Sequence, residues 1–307
     1  MSNMLQSEVL DAPEFEDVVA RLGAVWSPLP DKPEETLELT AKALWFAAAG
    51  DPQSVARCAD APLPSLNAEA TTRLWGLLSR RSNGTPLAHL TGRQNFAGLE
   101  LLCGPGALIP RRETELLART ATDILSATVS PGDPAFAIDV CTGSGNVALA
   151  MAAGEEHLTV LAADISSDAL ALAVENARYL GLGSRVTFIP SDLFNAMDVP
   201  ANHHRAAVIT CNPPYIASAK VPAMAEEISR HEPRLAFDGG AFGLTIISRL
   251  LADAPRFLRP GGSLCFEVGA GNGRFVAERI SRNGAYVGVR QITDEKGIVR
   301  VLVASVA

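Results

Sequence analysis

The chain has 307 residues, 48% of them hydrophobic and 20% charged, with a formal net charge of −8. That is enough apolar material for one large or two ordinary domains around a real core, and the acidic balance argues against a broad phosphate-binding surface, hence against nucleic acid as a partner. Its five cysteines stand singly, without a C-x-x-C pair or a histidine at metal spacing, so neither a disulfide framework nor a metal site is expected. Met1 to Glu16 is acidic rather than signal-like, and no stretch reaches the ~20 apolar residues of a membrane helix, which predicts a cytoplasmic protein.

From Glu34 to about Arg81 the pattern is helical. Leu37, Leu39, Ala41, Leu44 and Trp45 carry one segment and Ala68 to Leu78 another, with Asp51-Pro52 and Ala61-Pro62-Leu63-Pro64 as punctuation. Residues 1–82 are therefore expected to form a small N-terminal helical domain, its first 30 or so residues loose because they hold little apolar periodicity. Ser82-Asn83-Gly84-Thr85-Pro86 is a turn signal, and Asn95 to Gly106 reads as short extended segments broken by glycine, a β-hairpin linker over residues 83–109. A charged cluster, Arg111-Arg112-Glu113-Thr114-Glu115, then precedes an apolar helix from Leu116 to Leu125.

From Pro134 onward strands alternate with helices, the signature of an α/β domain (residues 110–307) built on a mostly parallel sheet covered on both faces. Strands are predicted at Ala135–Val140, Leu158–Ala163, Arg185–Ile189, Ala206–Thr210 and Ser263–Val268, with two more near Tyr286–Ile292 and Val299–Val303, seven in all. Helices are predicted from Asn146, from a cap at Ser166 or Ser167 to a stop at Gly181, and from Leu244 to Leu258, the last ended by Pro260-Gly261-Gly262.

The chemistry collects where strands end. After the first of the seven comes Asp139-Val140-Cys141-Thr142-Gly143-Ser144-Gly145, whose glycines let the backbone pass close to a ligand while Thr142 and Ser144 offer hydroxyls at a helix N-terminus. Asp164 ends the second strand about 20 residues on, the distance of a ribose-binding carboxylate. Asp192 follows the third, with Leu193 and Phe194 as apolar neighbours for a purine. Gly143-x-Gly145-x-x-Ala148 with a downstream acid also fits a dinucleotide fingerprint, so an NAD-dependent oxidoreductase is a rival. Asp139 inside the end of the strand suits a zwitterionic cofactor better than a pyrophosphate, and the triplet Asp139, Asp164, Asp192 favours S-adenosyl-L-methionine. After the fourth strand stands Asn212-Pro213-Pro214-Tyr215. Two prolines fix φ and remove two donors, leaving carbonyls with no ladder to join. The Asn212 side chain adds an acceptor, Tyr215 adds an aromatic face, and together they suit a planar NH2 group.

With these motifs the chain closely resembles the HemK/PrmC-type protein-(glutamine-N5) methyltransferases. The resemblance runs from Leu37 to Val301. It includes Pro86-Leu87-Ala88-His89, Thr91-Gly92, Phe96-x-Gly98, Leu108-Ile109-Pro110-Arg111-x-Glu113-Thr114-Glu115, Glu232-Pro233-x-x-Ala236-x-x-Gly239-Gly240, Glu267-x-Gly269 and Asp294-x-x-Gly297-x-x-Arg300. It implies a Rossmann-like class I methyltransferase domain with a helical substrate-recognition domain. It also implies methyl transfer from S-adenosyl-L-methionine to a glutamine side-chain amide in the Gly-Gly-Gln motif of a peptide chain release factor, with S-adenosyl-L-homocysteine as product. Asn212, Pro213, Pro214 and Tyr215 are then the catalytic residues. Asp139, Cys141, Thr142, Gly143, Ser144, Gly145, Asp164, Ile165, Asp192, Leu193 and Asn212 hold the cofactor, and Arg111, Glu113, Glu232 and Phe242 border the substrate pocket. The family usually has an acid at Asn95, Pro at Arg112, Trp or another residue at Leu193, Asp at Phe242 and His at Val268, so an N-methyltransferase acting on a small or peptidic metabolite is the alternative. An inactive binding module is the non-enzyme reading.

Overall fold

In the computed structural model the described residues are 14–29, 31–130, 132–240 and 243–307. They fall into two compact units that part between Asn95 and Phe96.

The first unit is helical. Its helices are α1 (Phe15–Gly23), α2 (Leu37–Ala49), α3 (Val55–Cys58), α4 (Ala68–Ser82) and α5 (Leu87–Thr91). The α2 start is set by Thr36, whose hydroxyl accepts from the Leu39 N–H, and its end by Gly50 in the left-handed region. Asn67 caps α4 in the same way. The segment before α2 is not wholly loose: α1 buries Val18 and Leu22, four residues apart, and Phe15 meets the Trp45 ring edge-on at 5.8 Å. Two buried positions are too few to stand out as a periodicity.

A short hairpin is formed by β1 (Arg93–Phe96) and β2 (Leu99–Leu102). Its two-residue turn places Ala97 at φ 50° and Gly98 at φ 81°, the doubly positive geometry that matches strand twist.

The second unit holds α6 (Glu115–Thr128), β3 (Ala135–Val140), α7 (Asn146–Gly154), β4 (Leu158–Asp164), α8 (Ser167–Tyr179), β5 (Val186–Pro190), β6 (Ala206–Cys211), α9 (Glu226–His231), α10 (Thr245–Asp253), β7 (Leu258–Glu267), α11 (Gly273–Ser281), β8 (Gly288–Thr293) and β9 (Val299–Ser305). Seven strands form one sheet in the order β5-β4-β3-β6-β7-β9-β8. The first five run parallel, and β9 is antiparallel to both of its neighbours. Alternation along the strands feeds two cores. Ala135 and Ala137 of β3 join α6, α7 and α8 on one face, while Ile138 and Val140 join α10 and α11 on the other. This is the expected Rossmann-like, mostly parallel seven-stranded α/β sheet.

Two departures from the sequence reading have local causes. The helix expected to run to Leu258 stops at Asp253 and passes into a tight turn containing Pro255, which has no N–H to continue it. The strand then begins before Pro260-Gly261-Gly262 rather than after it, and its pairing slips between Ala206 and Val208, an irregularity that accommodates the proline. α11, with Val276, Ala277 and Ile280 buried, went unpredicted.

Strand order reverses between β3 and β6, so a crevice opens at their carboxyl ends. The loop after β3 is pinned there by fully buried Asn176 of α8. Its side-chain nitrogen donates to the carbonyls of Ser144 (3.1 Å) and Leu102 (3.2 Å), and its oxygen accepts from the Leu102 N–H (2.7 Å). Asn176→Ala leaves buried backbone groups unpaired and should cost about 2–4 kcal/mol in urea unfolding; a loss under about 0.5 kcal/mol would show the clip to be dispensable.

Candidate active site

One cavity occupies that crevice. Of the residues expected from sequence, its wall brings together Arg111, Asp139, Cys141, Thr142, Gly143, Ser144, Asp164, Ile165, Asp192, Leu193, Asn212 and Pro214. Gly145, Pro213, Tyr215, Glu113 and Glu232 do not line it, and Phe242 lies outside the described residues.

Along the glycine loop, Cys141, Gly143 and Gly145 all have positive φ (57°, 56° and 82°). A Cβ at Gly143 would meet nothing within 4 Å, so the backbone is bare toward the open crevice. One at Gly145 would press on Ala173, Leu149 and Phe188 at 3.2–3.3 Å. The first glycine leaves room for a ligand, and the second lets α7 pack. Leu193, also on the wall, is held at φ 51°, a conformation that costs a bulky residue energy and marks a constrained site.

Three carboxylates surround this loop. Asp139 is buried and accepts from the hydroxyls of Thr142 and Thr210, both at 2.6 Å; burial outweighs these bonds and pushes its carboxyl up to about 6. Asp164 accepts from the N–H groups of Gly143 (2.8 Å) and Ser166 (2.9 Å), and burial raises its carboxyl too. The carboxylate keeps lone-pair capacity for a further donor. Asp192 is half exposed and receives the Arg249 guanidinium at 2.9 Å, a partner not foreseen from sequence.

The Ser144 hydroxyl is buried on the wall with no hydrogen-bond partner. An orphaned hydroxyl, a bare glycine and buried acids that tolerate positive charge together fit S-adenosyl-L-methionine, which carries amine, carboxylate, hydroxyl and sulfonium groups.

Beyond Cys211 the chain leaves the sheet. A Cβ at Gly239 would lie 2.4 Å from the Pro214 carbonyl oxygen, one at Gly243 2.1 Å from that of Tyr215, and one at Gly269 2.8 Å from the Tyr215 ring. Only glycines allow this approach. Asn212 donates from Nδ2 to the Thr114 hydroxyl (3.1 Å), Thr114 donates to Glu267 Oε2 (2.7 Å), and the Tyr215 hydroxyl donates to Glu267 Oε1 (3.1 Å). Glu267 is 1% exposed, and burial, with the charge of Glu113 adding, drives its carboxyl up to about 7. The expected pocket residue Glu232 is instead a buried strut: it accepts from the Ile109 N–H at 2.9 Å and from the Arg111 guanidinium, and so holds Arg111 at the wall. Thr210 and Arg249 drew no attention in the sequence, since an isolated threonine or arginine carries no motif, and Thr114 and Glu267 each sat in a quoted motif without a role.

Both Glu267 and Asp139 keep a proton to higher pH in the fold than in the open chain, so stability should fall as pH rises, from 3.8 toward about 6 through Asp139 and from 4.5 toward about 7 through Glu267. The Glu267 share is about 3 kcal/mol. Glu267→Gln should therefore flatten the decline in Tm between pH 5 and pH 8; a decline as steep as in the wild type would show that Glu267 does not titrate in this window.

A family model described as "Methyltransferase domain" matches residues 137–232. The chain is 36% identical to the release factor glutamine methyltransferase of Moorella thermoacetica over 85% of this chain and 87% of that one. It is 37% identical to that of Gloeobacter violaceus over 76% and 79%. Among solved structures, the hMettl16 catalytic domain in complex with the MAT2A 3'UTR hairpin 6 superposes with a TM-score of 0.54 at 16% identity, over 75% of this chain and 81% of that one, a likeness of fold.

Proposed function

The chain belongs to the release factor glutamine methyltransferase family, and we propose that it is an S-adenosyl-L-methionine-dependent methyltransferase that methylates N5 of a glutamine side chain in a release factor. The observation that carries this is that Asn212 and the glycine loop share one cavity, so an acceptor held by the first lies beside a cofactor held by the second. The oxidoreductase and small-molecule readings gain no support from the relatives.

When bound, S-adenosyl-L-methionine supplies an electrophilic methyl on a sulfonium sulfur. In our reading Asp164 accepts from ribose hydroxyls, Ser144 and the bare backbone at Gly143 receive the methionine end, Asp139 offsets positive charge, and Leu193 and Asp192 border the base. An amide nitrogen is a weak nucleophile, so the protein's task is orientation. With Nδ2 of Asn212 turned to Thr114, its carbonyl end remains to accept from a substrate NH2, and the Pro213 carbonyl is the second acceptor. Such positioning contributes up to ~7–11 kcal/mol in favourable cases. Tyr215, held between Glu267 and Gly269, steadies the loop that carries both acceptors. We assign substrate recognition to the N-terminal helical segment, residues 1–82, with 83–109 as linker and 110–307 as the catalytic domain.

Radiolabelled methyl transfer to purified release factor, compared with a metabolite extract, tests the assignment. Label on the glutamine of Gly-Gly-Gln is expected, and label confined to small molecules would overturn it. Asn212→Ala should lower kcat by about 10²-fold or more while calorimetric cofactor affinity changes little; unchanged turnover would remove its role. Asp164→Ala should instead weaken cofactor binding by about 10- to 100-fold, the worth of a charged hydrogen bond, and equal affinity would refute the ribose contact.

A further inference from the structure

We propose that Glu267 is a positioning residue which, through the single hydroxyl proton of Thr114, decides which end of the Asn212 amide faces the cavity. The inference deepens the methyltransferase reading and rests on it for its catalytic meaning. A threonine hydroxyl has one proton to give. While Glu267 is a carboxylate it can only accept, so Thr114 gives that proton to Oε2 (2.7 Å) and can then only accept from Asn212. The Asn212 partner must accordingly be Nδ2–H (3.1 Å), which leaves Oδ1 for a substrate NH2.

Protonated Glu267 inverts the chain of donors. Its new O–H can donate to Thr114, whose hydroxyl is freed to donate to Asn212 Oδ1, and the amide turns its NH2 toward the cavity. Donor would then face donor, and the substrate amide would lose its acceptor. The step is a single protonation, in which a solvent hydronium gives up one O–H bond as the Glu267 carboxylate gains one, and every other change is an exchange of hydrogen bonds.

Glu267 ends β7 next to the last residue of β6, since Phe266 and Cys211 are register partners. After burial, the Thr114 hydroxyl does most to set its charge and favours ionisation, and further groups act from neighbouring segments. Glu113, on the turn before α6, opposes ionisation; Arg300 on β9 and the Tyr215 hydroxyl favour it, Arg300 itself being held by Asp294 at 2.9 Å. Burial dominates and places the change near neutral pH. Tyr215 hangs from the other oxygen of the same carboxylate, so both ends of the Asn-Pro-Pro-Tyr loop are referred to one group.

The test uses the full chain with ¹⁵N-asparagine labelling, following the Asn212 side-chain NH2 resonances from pH 5 to pH 9, alongside kcat for methyl transfer. In the wild type those resonances should shift with a midpoint near 7, and kcat should fall on the acid side of the same midpoint. Glu267→Gln and Thr114→Val should abolish the shift and lower kcat at pH 8 by about tenfold with KM for cofactor nearly unchanged, whereas Thr114→Ser, which keeps the hydroxyl, should retain both shift and turnover. A wild-type NH2 signal that does not titrate, or one that titrates equally in Thr114→Val, overturns the proposal. If the wild type transfers no methyl to release factor, the functional reading fails while the resonance arm still decides the relay.

Discussion

A stretch of chain that cannot bond to itself is held in place by its neighbours' lack of side chains. Pro213 and Pro214 have no N–H, so the segment leaving β6 cannot join a ladder. Regular pairing resumes only at Ile216, which donates to the Phe237 carbonyl and accepts from the Gly239 N–H. Between these points Gly239, Gly243 and Gly269 come within a distance that any Cβ would forbid. The close approaches wedge the loop in place, which suits the acceptor role we propose for it. The three glycines come from the loop before α10 and from the end of β7, and the tight fit ties the carboxyl edge of the sheet to the segment that crosses over it.

The second constraint is electrostatic. Asp139, Asp164 and Glu267 are taken out of water at the same edge, and burial raises all three. A fold selected only for stability would place apolar side chains there. Their retention makes sense if the site must hold positive charge and fix the direction of donors, because a carboxylate accepts and cannot donate. Thr142, Thr210 and Thr114 each direct a hydroxyl onto one of these acids, so the threonines keep the carboxylates oriented and limit what burial costs.

How much of this was legible in the sequence follows from the range of each interaction. The strands β3, β4 and β6 could be placed because a buried parallel strand is a continuous apolar run, and Asp139, Asp164 and Asn212 because they stand where such runs stop. α1 escaped with only two core positions, and the start of β7 escaped because Pro260-Gly261-Gly262 reads as a break when it is a strand irregularity. Asn176, Thr114 and Arg249 were illegible for another reason. Their partners lie 74, 98 and 57 residues away in sequence, and no local pattern announces a contact at that separation.

Three of the positions at which the sequence differs from the pattern expected of the family can be weighed by place. Val268 is fully buried in the core beside α11, and its N–H donates to the Arg300 carbonyl. Arg112 is more than half exposed, with only a loose approach to Glu295 at 3.9 Å. Neither stands on the cavity wall. Leu193 does, and it keeps an apolar surface there despite its left-handed backbone. An apolar Leu193 at the wall, with Val268 in the core and Arg112 on the exterior, leaves the Asn-Pro-Pro-Tyr loop, the glycine loop and the carboxylates untouched. Val268 and Arg112 therefore bear on packing and surface, and Leu193 keeps an apolar wall, so these three positions leave the groups that we propose to hold an amide beside a methyl donor unchanged.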